Sequence, residues 1–485
     1  MTRACSKPVA HDSSLLNTAL AVLFAAVFCL SHIHQGSLSI DGIRYAHIAN
    51  HILKSGNWFT LWDEYTGQIY ANKPPALFWL TALSIRTFGF STFSARLPGA
   101  VFALAALLML FQLVRRFYGT QSAFIALVLL VLNSVFFRAV ADLSFEGLLL
   151  CGALSCLHTS LKVVRGTELQ LSDWPLLGLG LFLCSVSKPP YILIILFPMA
   201  MTLAKIKRAR QLIIRPSFFA GAVLPPVIGL SWYLFNDAAY LKGALNNQIV
   251  WPFILENGFA ENLAAWVRTL LISYAPLTWL GVISLFKMLK TRRALNPEEF
   301  FLLCWLFPAL PMLIFTTCRA PYLLVPFLTL VIVSARWMAA ALLQVFSVPI
   351  LQRALLTSSL LSVVLINLLG VKVHKFHPLL GALKQEPALI QQQNEEPRLL
   401  LCLNGKRRPE SPNAAKRAQM LIELELKRTF PVYDSNTVPL NELKAGFYLL
   451  ADTNCREALF NRKTNLAVIR KFEQAALLKA AEDRP

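Results

Sequence analysis

Long apolar runs constrain this chain more than any other feature. They lie near residues 15–33, 97–114, 121–139, 143–161, 174–188, 190–204, 217–235, 266–286, 299–316, 321–342 and 354–371. A helix crossing a bilayer needs about 20 mostly apolar residues. The sequence therefore predicts an α-helical polytopic membrane protein with about 11 transmembrane helices. Composition agrees: 56% of the 485 residues are hydrophobic, 15% are charged, and 33 are Phe. Soluble domains carry about 25% charged residues, so soluble globular, disordered, coiled-coil and secreted disulfide-scaffold classes are excluded.

The 46 Lys and Arg outnumber the 26 Asp and Glu, a formal charge of +20. In a soluble protein that excess would suggest nucleic-acid binding. Here the clusters Arg115-Arg116, Lys162/Arg165, Lys205 to Arg215, Lys287 to Arg293 and Arg336/Arg353 fall in every second connection between apolar runs. Short cytoplasmic loops collect Lys and Arg, so these clusters and the N-terminus are expected inside, and no nucleic-acid partner is expected. The first run lacks a small-residue cleavage site and reads as an anchor. An odd number of spans places the C-terminus outside, with residues 34–96, a turn near 138–142 and residues 236–265.

Within residues 34–96, Asp41 to Lys54 reads as a helix. Pro74-Pro75 opens a stretch from Ala76 to Leu83 that is apolar but too short to span, the pattern of an interfacial or re-entrant helix. The expected organisation is a membrane domain over 1–372, a polar linker over 373–397 and a small soluble α/β domain over 398–485. That last region alternates strand-like 398–403, helix-like 414–427 and strand-like 446–451 and 466–472. Cys402 and Cys455 lie in it and could pair if that part is extracytoplasmic, a pairing the sequence alone leaves open.

Ionisable groups at or inside the membrane are costly, so each is a functional candidate. Asp41, directly after the first run, reads either as a helix N-cap or as a general base. Asp142 and Glu146 are four apart and are expected on one helix face, with Arg138 a turn earlier. An Arg138–Asp142 pair would leave Glu146 deeper and without a local partner. Lys73, in Asn72-Lys73-Pro74-Pro75, would hold a phosphate or snorkel to headgroups. Lys188, before Pro189-Pro190, and Arg319, before Pro321-Tyr322, have the same two readings. His47 and His51 share a helix face, but no metal-binding spacing occurs, and no Walker motif is present.

Several elements form an ordered series: Asp41-Gly42-Ile43-Arg44-Tyr45-Ala46, Ser55-Gly56-Asn57-Trp58, Asn72-Lys73-Pro74-Pro75, Phe78-Trp79-Leu80 and Ala95-Arg96-Leu97-Pro98. The series resembles the first extracytoplasmic region of the polyprenyl-phosphate-sugar glycosyltransferases. These are the protein O-mannosyltransferase-like superfamily, which includes the lipid A aminoarabinose transferases. The Lys188-Pro189 break and the Arg319/Tyr322/Pro326 segment are similar to that group as well.

The resemblance implies a GT-C glycosyltransferase fold in the bacterial inner membrane and an inverting transfer on the extracytoplasmic side. A polyprenyl (undecaprenyl) phosphate would carry the sugar, and lipid A or another envelope glycolipid would accept it. Asp41 and Glu146 would be the catalytic acids, with Asp142 the alternative. Lys73, Arg44, Tyr45, Arg319, Tyr322 and Lys188 would bind the donor phosphate. Two acids common in relatives are replaced here by Gly42 and Asn72. No cofactor is therefore assigned as certain, and a divalent metal, bound by some relatives near these elements, stays an open alternative. Protein O-glycosylation is the second enzymatic expectation. A transporter of lipid-linked sugars, the alternative outside enzymes, should show paired interrupted halves, and no such pairing is evident.

Overall fold

The computed structural model describes residues 14–31, 33, 38–64, 66–205, 211, 215–235, 258–290, 295–316, 318–344, 357, 361, 399–402, 420, 423–424, 432–433, 438, 448–461, 466–471 and 475–480. The expected linker, most of the span expected at 354–371 and of the helix expected at 414–427, and residues 236–257 of the connection expected at 236–265 lie outside them; the rest of that connection is helical, in Gly258–Arg268. Two compact units emerge. One comprises Met1–Ile33, Tyr70–Leu77 and Arg96–Val371; the other comprises His34–Ile69, Phe78–Ala95 and Lys372–Pro485.

In chain order the first helices are α1 (Ser14–Ser31), α2 (Ile40–Ser55), α3 (Ala76–Phe88), α4 (Thr92–Tyr118), α5 (Thr120–Val131), α6 (Ser134–Val140), α7 (Glu146–Val164), α8 (Asp173–Ser185) and α9 (Tyr191–Lys205). Among the described residues α4 and α7 are each long and apolar enough to cross a membrane. Two bent pairs raise that number to four if each is one span.

Three expectations need correction. The run at 121–139 is not one helix, because α5 and α6 meet at 74°. Asn133 sits at the break and its side-chain oxygen accepts from the Val135 and Phe136 amides, 3.0 and 3.1 Å away, starting a new helix inside an apolar run. The run at 266–286 is also broken: Phe259–Ser273 and Leu277–Lys290 meet at 92°, with Pro276, which has no amide to donate, between them. Finally, Asp142 and Glu146 do not share a helix. Residues 141–145 form a turn, and α7 begins at Glu146. The Asp142 carboxylate accepts from the Leu143 amide at 2.9 Å, and Ser144 donates back to the Ala139 carbonyl at 2.7 Å. These short-range bonds replace the helical ladder.

Glycine lets the helices of the membrane unit approach closely. A methyl group placed on Gly152 of α7 would lie 2.6 Å from the Gly180 carbonyl oxygen of α8, and one on Gly178 only 1.7 Å from that of Gly221. Apolar attraction between helices is weak in lipid, so such backbone-to-backbone packing supplies much of their association. The ends of α4 and α7 are tied by charge. Glu298 accepts from Tyr118 Oη at 2.7 Å, Arg165 Nε at 2.6 Å and Arg336 Nη1 at 3.2 Å. Lys162 donates to both Asp173 oxygens at 2.8 and 2.7 Å in a buried pair.

In the other unit, β1 (Trp62–Asp63) and β2 (Gln68–Ile69) form a short antiparallel hairpin. The C-terminal part is a five-stranded sheet of β3 (Leu399–Cys402), β4 (Val432–Tyr433), β5 (Tyr448–Asp452), β6 (Leu466–Lys471) and β7 (Ala475–Ala480), in the order β4-β3-β5-β7-β6. Its core gathers Leu400, Leu449, Leu459 and Leu478 around a Cys402–Cys455 disulfide. Strand β7 was not expected, because Ala-Ala-Leu-Leu-Lys-Ala has helical propensity. Pairing with β5 on one side and β6 on the other overrides it.

Helix α2 docks on this C-terminal part. His47 Nε2 bonds the Met420 carbonyl at 2.7 Å, and Lys54 pairs with Glu423 at 3.6 Å. The Glu64 carboxylate lies between the Nδ1 atoms of His47 and His51, at 3.4 and 3.2 Å. The His47 hydrogen bond outweighs partial burial and, with His51 and Lys54 helping, holds Glu64 down to about 2 from its ordinary 4.5.

Two outcomes are expected. Gly178→Val should destabilise the membrane unit by about 1–3 kcal/mol through overpacking, read as a lowered melting temperature in detergent; an unchanged melting temperature would show that the helices have room. Because the folded Glu64 value lies below the unfolded one, its stabilisation is complete above 4.5. It disappears as pH falls towards about 2. The gap in melting temperature between wild type and Glu64→Gln should therefore close over that interval. A gap independent of pH would refute the clasp.

Candidate functional site

The membrane unit buries one ion pair where the sequence placed two separate candidates. Glu146 occupies the first turn of α7, and Lys188 lies between the end of α8 and the start of α9. Lys188 Nζ donates to Glu146 Oε1 at 2.5 Å, and both residues are buried. A carboxylate in the first helical turn also meets the positive end of the helix dipole. Gly147 explains the depth: a methyl group there would lie 2.7 Å from the Ala103 amide nitrogen of α4. The backbone at the start of α7 thus lies directly against a neighbouring helix.

Aromatic rings surround the lysine. Its Nζ is 5.6 Å from the Tyr322 ring centroid and 5.9 Å from that of Tyr191, within cation–π range. Tyr191 donates to the Tyr322 carbonyl at 2.9 Å, and Tyr274 donates to the Ala320 carbonyl at 2.7 Å. These bonds fix the 3-10 turn Ala320–Leu323, which carries Tyr322 and follows an exposed Arg319. The structure thus brings together Glu146, Lys188 and Tyr322 and adds Tyr191 and Tyr274. The two tyrosines were missed because each sits in or beside an apolar run and reads as core. Their signal was a hydroxyl inside apolar sequence, which has to find a partner when buried.

Lys73 is half-buried on the turn that leads through Pro74 and Pro75 into α3. Asp142 is half-buried on the turn before α7 and stands apart from Glu146 on the helix.

The other unit holds Asp41, Arg44 and Tyr45 on the first turns of α2. Ser39, rather than Asp41, is the N-cap: its hydroxyl accepts from the Gly42 amide at 3.0 Å. Asp41 is left exposed in the first helical turn. Arg44 donates through Nε at 2.9 Å and Nη2 at 2.5 Å to one oxygen of the fully buried Asp63, which also accepts from Thr66 at 2.6 Å. Arg44 therefore anchors the β1–β2 hairpin to α2, and sequence reasoning did not single out Asp63. Tyr45 is buried edge-on against Phe78, with ring centroids 5.4 Å apart. Trp79 Nε1 donates to the Trp58 carbonyl at 2.5 Å, joining two elements of the ordered sequence series.

The described residues do not fit a metal site. No three His, Cys, Asp or Glu side chains among them converge on one point. His47 and His51 both turn Nδ1 to Glu64, and the remaining nitrogen of His47 is taken by Met420. No step is assigned to a metal.

Comparison with known proteins bears on the fold and the family resemblance. The family described as dolichyl-phosphate-mannose-protein mannosyltransferase matches residues 72–233. The undecaprenyl phosphate-alpha-4-amino-4-deoxy-L-arabinose arabinosyl transferase of Pectobacterium atrosepticum is 25% identical over 375 residues, covering 74% of this chain and 64% of that protein. A second such transferase, from Proteus mirabilis, is 26% identical over 329 residues, covering 64% of this chain and 57% of its own length. The chain thus spans somewhat under two thirds of these relatives. The crystal structure of ArnT from Cupriavidus metallidurans bound to undecaprenyl phosphate superimposes with a TM-score of 0.62 at 14% identity, covering 96% of this chain and 98% of that one. An Archaeoglobus fulgidus oligosaccharyltransferase, tethered to an acceptor peptide, gives 0.50 at 14% identity over 97% of this chain and 74% of that one. Likenesses at such identity speak to the fold. The chain therefore shares the fold of ArnT and is similar in sequence to the arabinosyl transferases over part of their length.

Proposed function

We propose that the protein is a bacterial inner-membrane glycosyltransferase. It takes a sugar from an undecaprenyl phosphate donor and passes it, with inversion, to lipid A or another envelope glycolipid outside the cytoplasm. The buried Glu146–Lys188 pair ringed by Tyr191 and Tyr322 carries this reading. It places a cation in a low-dielectric pocket of a fold shared with a protein crystallised with undecaprenyl phosphate.

In the proposed reaction an acceptor oxygen attacks the anomeric carbon as the bond from that carbon to the phosphate oxygen breaks. The phosphate leaves with the electron pair, and negative charge grows on it. Fixed cations in a water-poor site lower that barrier, a role given to Lys73, Lys188 and Arg319, with Tyr322 beside Lys188; Arg44 and Tyr45 on α2 are the further candidates for binding donor phosphate. Asp41 takes the proton of a hydroxyl acceptor. Glu146 positions Lys188, and Asp142 stands as the alternative acid. The lipid-phosphate bond supplies the activation, so no nucleotide is consumed.

The finer organisation belongs to the same reading. It has about eleven spans, an N-terminus inside, the membrane domain at 1–372, the linker at 373–397 and the soluble domain at 398–485 outside. The Cys402–Cys455 disulfide supports an extracytoplasmic tail, because such bonds persist in the oxidising periplasm. The match to a protein mannosyltransferase family over residues 72–233 favours protein O-glycosylation as the second reading.

Mass spectrometry of lipid A from cells lacking the chain tests the acceptor. Loss of one sugar-sized mass, restored by wild type but not by Asp41→Asn, is expected. An unchanged profile would move the acceptor to glycoproteins or other envelope glycans, and restoration by Asp41→Asn would remove that residue from catalysis.

The pair needs a test that separates chemistry from folding, since removing one partner of a buried pair costs about 3–5 kcal/mol. Lys188→Met should lose both transfer and stability. The double variant Glu146→Gln/Lys188→Met should regain the melting temperature but not the transfer. Recovery of transfer by the double variant would make the pair purely structural. Lys73→Ala should raise the apparent donor KM by roughly tenfold to a hundredfold, the loss of a charged hydrogen bond. An unchanged constant would leave Lys73 to the headgroups.

A further inference from the structure

Arg319 sits on an irregular stretch of backbone that side chains from another part of the chain grip on both sides. The amide of the residue before it, Cys318, donates to Asn262 Oδ1 at 2.8 Å. The carbonyl of the residue after it, Ala320, accepts from Tyr274 Oη at 2.7 Å. Asn262 also donates through Nδ2 to the Thr316 carbonyl at 2.8 Å, an acceptor that Trp266 Nε1 shares at 3.1 Å. Asn262, Trp266 and Tyr274 are buried, whereas Arg319 is exposed. An exposed guanidinium is thus carried on backbone whose flanking polar groups are fixed by buried side chains.

The chain is shaped locally so that these groups face one way. Asn262 and Trp266 are four residues apart on the helix Gly258–Arg268 and share a face. Tyr274 comes eight residues after Trp266, and at about 3.6 residues per turn an unbroken α-helix would overshoot two turns and carry it to another face. Instead the turn Thr269–Ser273 is π-helical, and the Tyr274 amide bonds five residues back to the Thr269 carbonyl at 3.0 Å. The extra residue in that circuit returns Tyr274 to the side of Asn262 and Trp266. π-Bulges of this kind are frequent at functional sites.

A buried phenol or amide has to find a partner, and a bond to any carbonyl would satisfy it. Here the partners converge on the two residues that bracket Arg319. Ordering a loop costs free energy on binding, and a ligand that meets an ordered one avoids that cost. Guanidinium recognition of phosphate through paired N–H donors depends on such placement. Resting on the reading of Arg319 as a donor-phosphate contact, we propose that Asn262 and Tyr274 are positioning residues that hold Arg319 ready for the phosphate of the lipid-linked donor. They act on donor binding rather than on bond breaking, because a bound phosphate restores a loosened segment before the reaction begins.

The test uses the full chain purified in detergent and titrated with undecaprenyl phosphate, with bound lipid counted by native mass spectrometry. Tyr274→Phe keeps the ring against Phe327, 4.9 Å between centroids, and should weaken binding about tenfold through the lost hydrogen bond. Arg319→Gln should weaken it as well. The double variant Tyr274→Phe/Arg319→Gln should bind no more weakly than Arg319→Gln alone, since Tyr274 acts through Arg319. Asn262→Ala should weaken binding and lose that effect in the Arg319→Gln background. Tyr118→Phe removes a matching phenol bond, to Glu298 at 2.7 Å, and should lower the melting temperature with binding unchanged. Equal weakening by Tyr118→Phe, or losses that multiply in the double variant, would reduce Tyr274 to a stabilising contact and overturn the proposal. Unchanged binding in Tyr274→Phe or in Arg319→Gln would overturn it too, with the donor reading left standing. A wild type that fails to bind undecaprenyl phosphate would overturn the donor reading itself, and the proposal with it.

Discussion

Helix α7 is held at both ends by buried charge, and much of the membrane unit is organised around it. At its start Glu146 meets Lys188; at its end Lys162 meets Asp173. Taking such groups out of water costs several kcal/mol per ion, and only close pairing recovers that cost. Each pair also reaches a different flank of the next helix: Asp173 opens α8, and Lys188 follows its end. The two contacts therefore set the position of α8 along α7, and Gly152 against Gly180 sets how closely the two approach. A slip of one turn would break both pairs at once and bring side chains into the glycine contacts. Specificity of register is the best-attested use of buried polar groups, and here it is enforced twice.

The two acids singled out in the sequence end in opposite environments. Glu146 is buried and neutralised by a lysine, whereas Asp41 is exposed because Ser39 performs the capping. A carboxylate already paired with an ammonium is a poor proton acceptor but a good anchor for that ammonium. An exposed carboxylate at the start of a helix is able to meet an incoming acceptor. The division of labour proposed for the reaction follows from these placements. Arg44 has a structural part of its own, since its contact with Asp63 fixes the hairpin after α2.

The apolar runs, the helix after Asp41 and the short helix after Pro74-Pro75 were legible because each depends on local hydrophobic length and on proline. The breaks were not. Asn133 interrupts an apolar run with a single side-chain cap, and hydropathy averaged over a span is blind to one residue. The expectation that Asp142 and Glu146 share a face assumed an unbroken helix through 141–145, where local hydrogen bonds instead close a turn. The Glu146–Lys188 contact joins residues 42 apart in sequence, so only the fold could reveal it. Strand β7 shows the opposite conflict: alanine and leucine favour helix, and two neighbouring strands win.

The pairing of Lys188 bears on how a donor phosphate would be received. Glu146 and Lys188 together carry no net charge, so the ammonium interacts with a dianion only as far as it loosens from its carboxylate. In the proposed reaction that loosening is small in the ground state, when the phosphate still shares its charge with the sugar bond. It grows as the bond breaks and charge accumulates on the departing oxygen. An interaction that strengthens along the reaction coordinate accelerates the step, whereas one already complete in the bound donor merely tightens binding. For the proposed reaction, a lysine held by a buried glutamate and faced by Tyr191 and Tyr322 is therefore better suited to transition-state stabilisation than an unpaired lysine at the same place, while the same pair sets the register of α8 on α7.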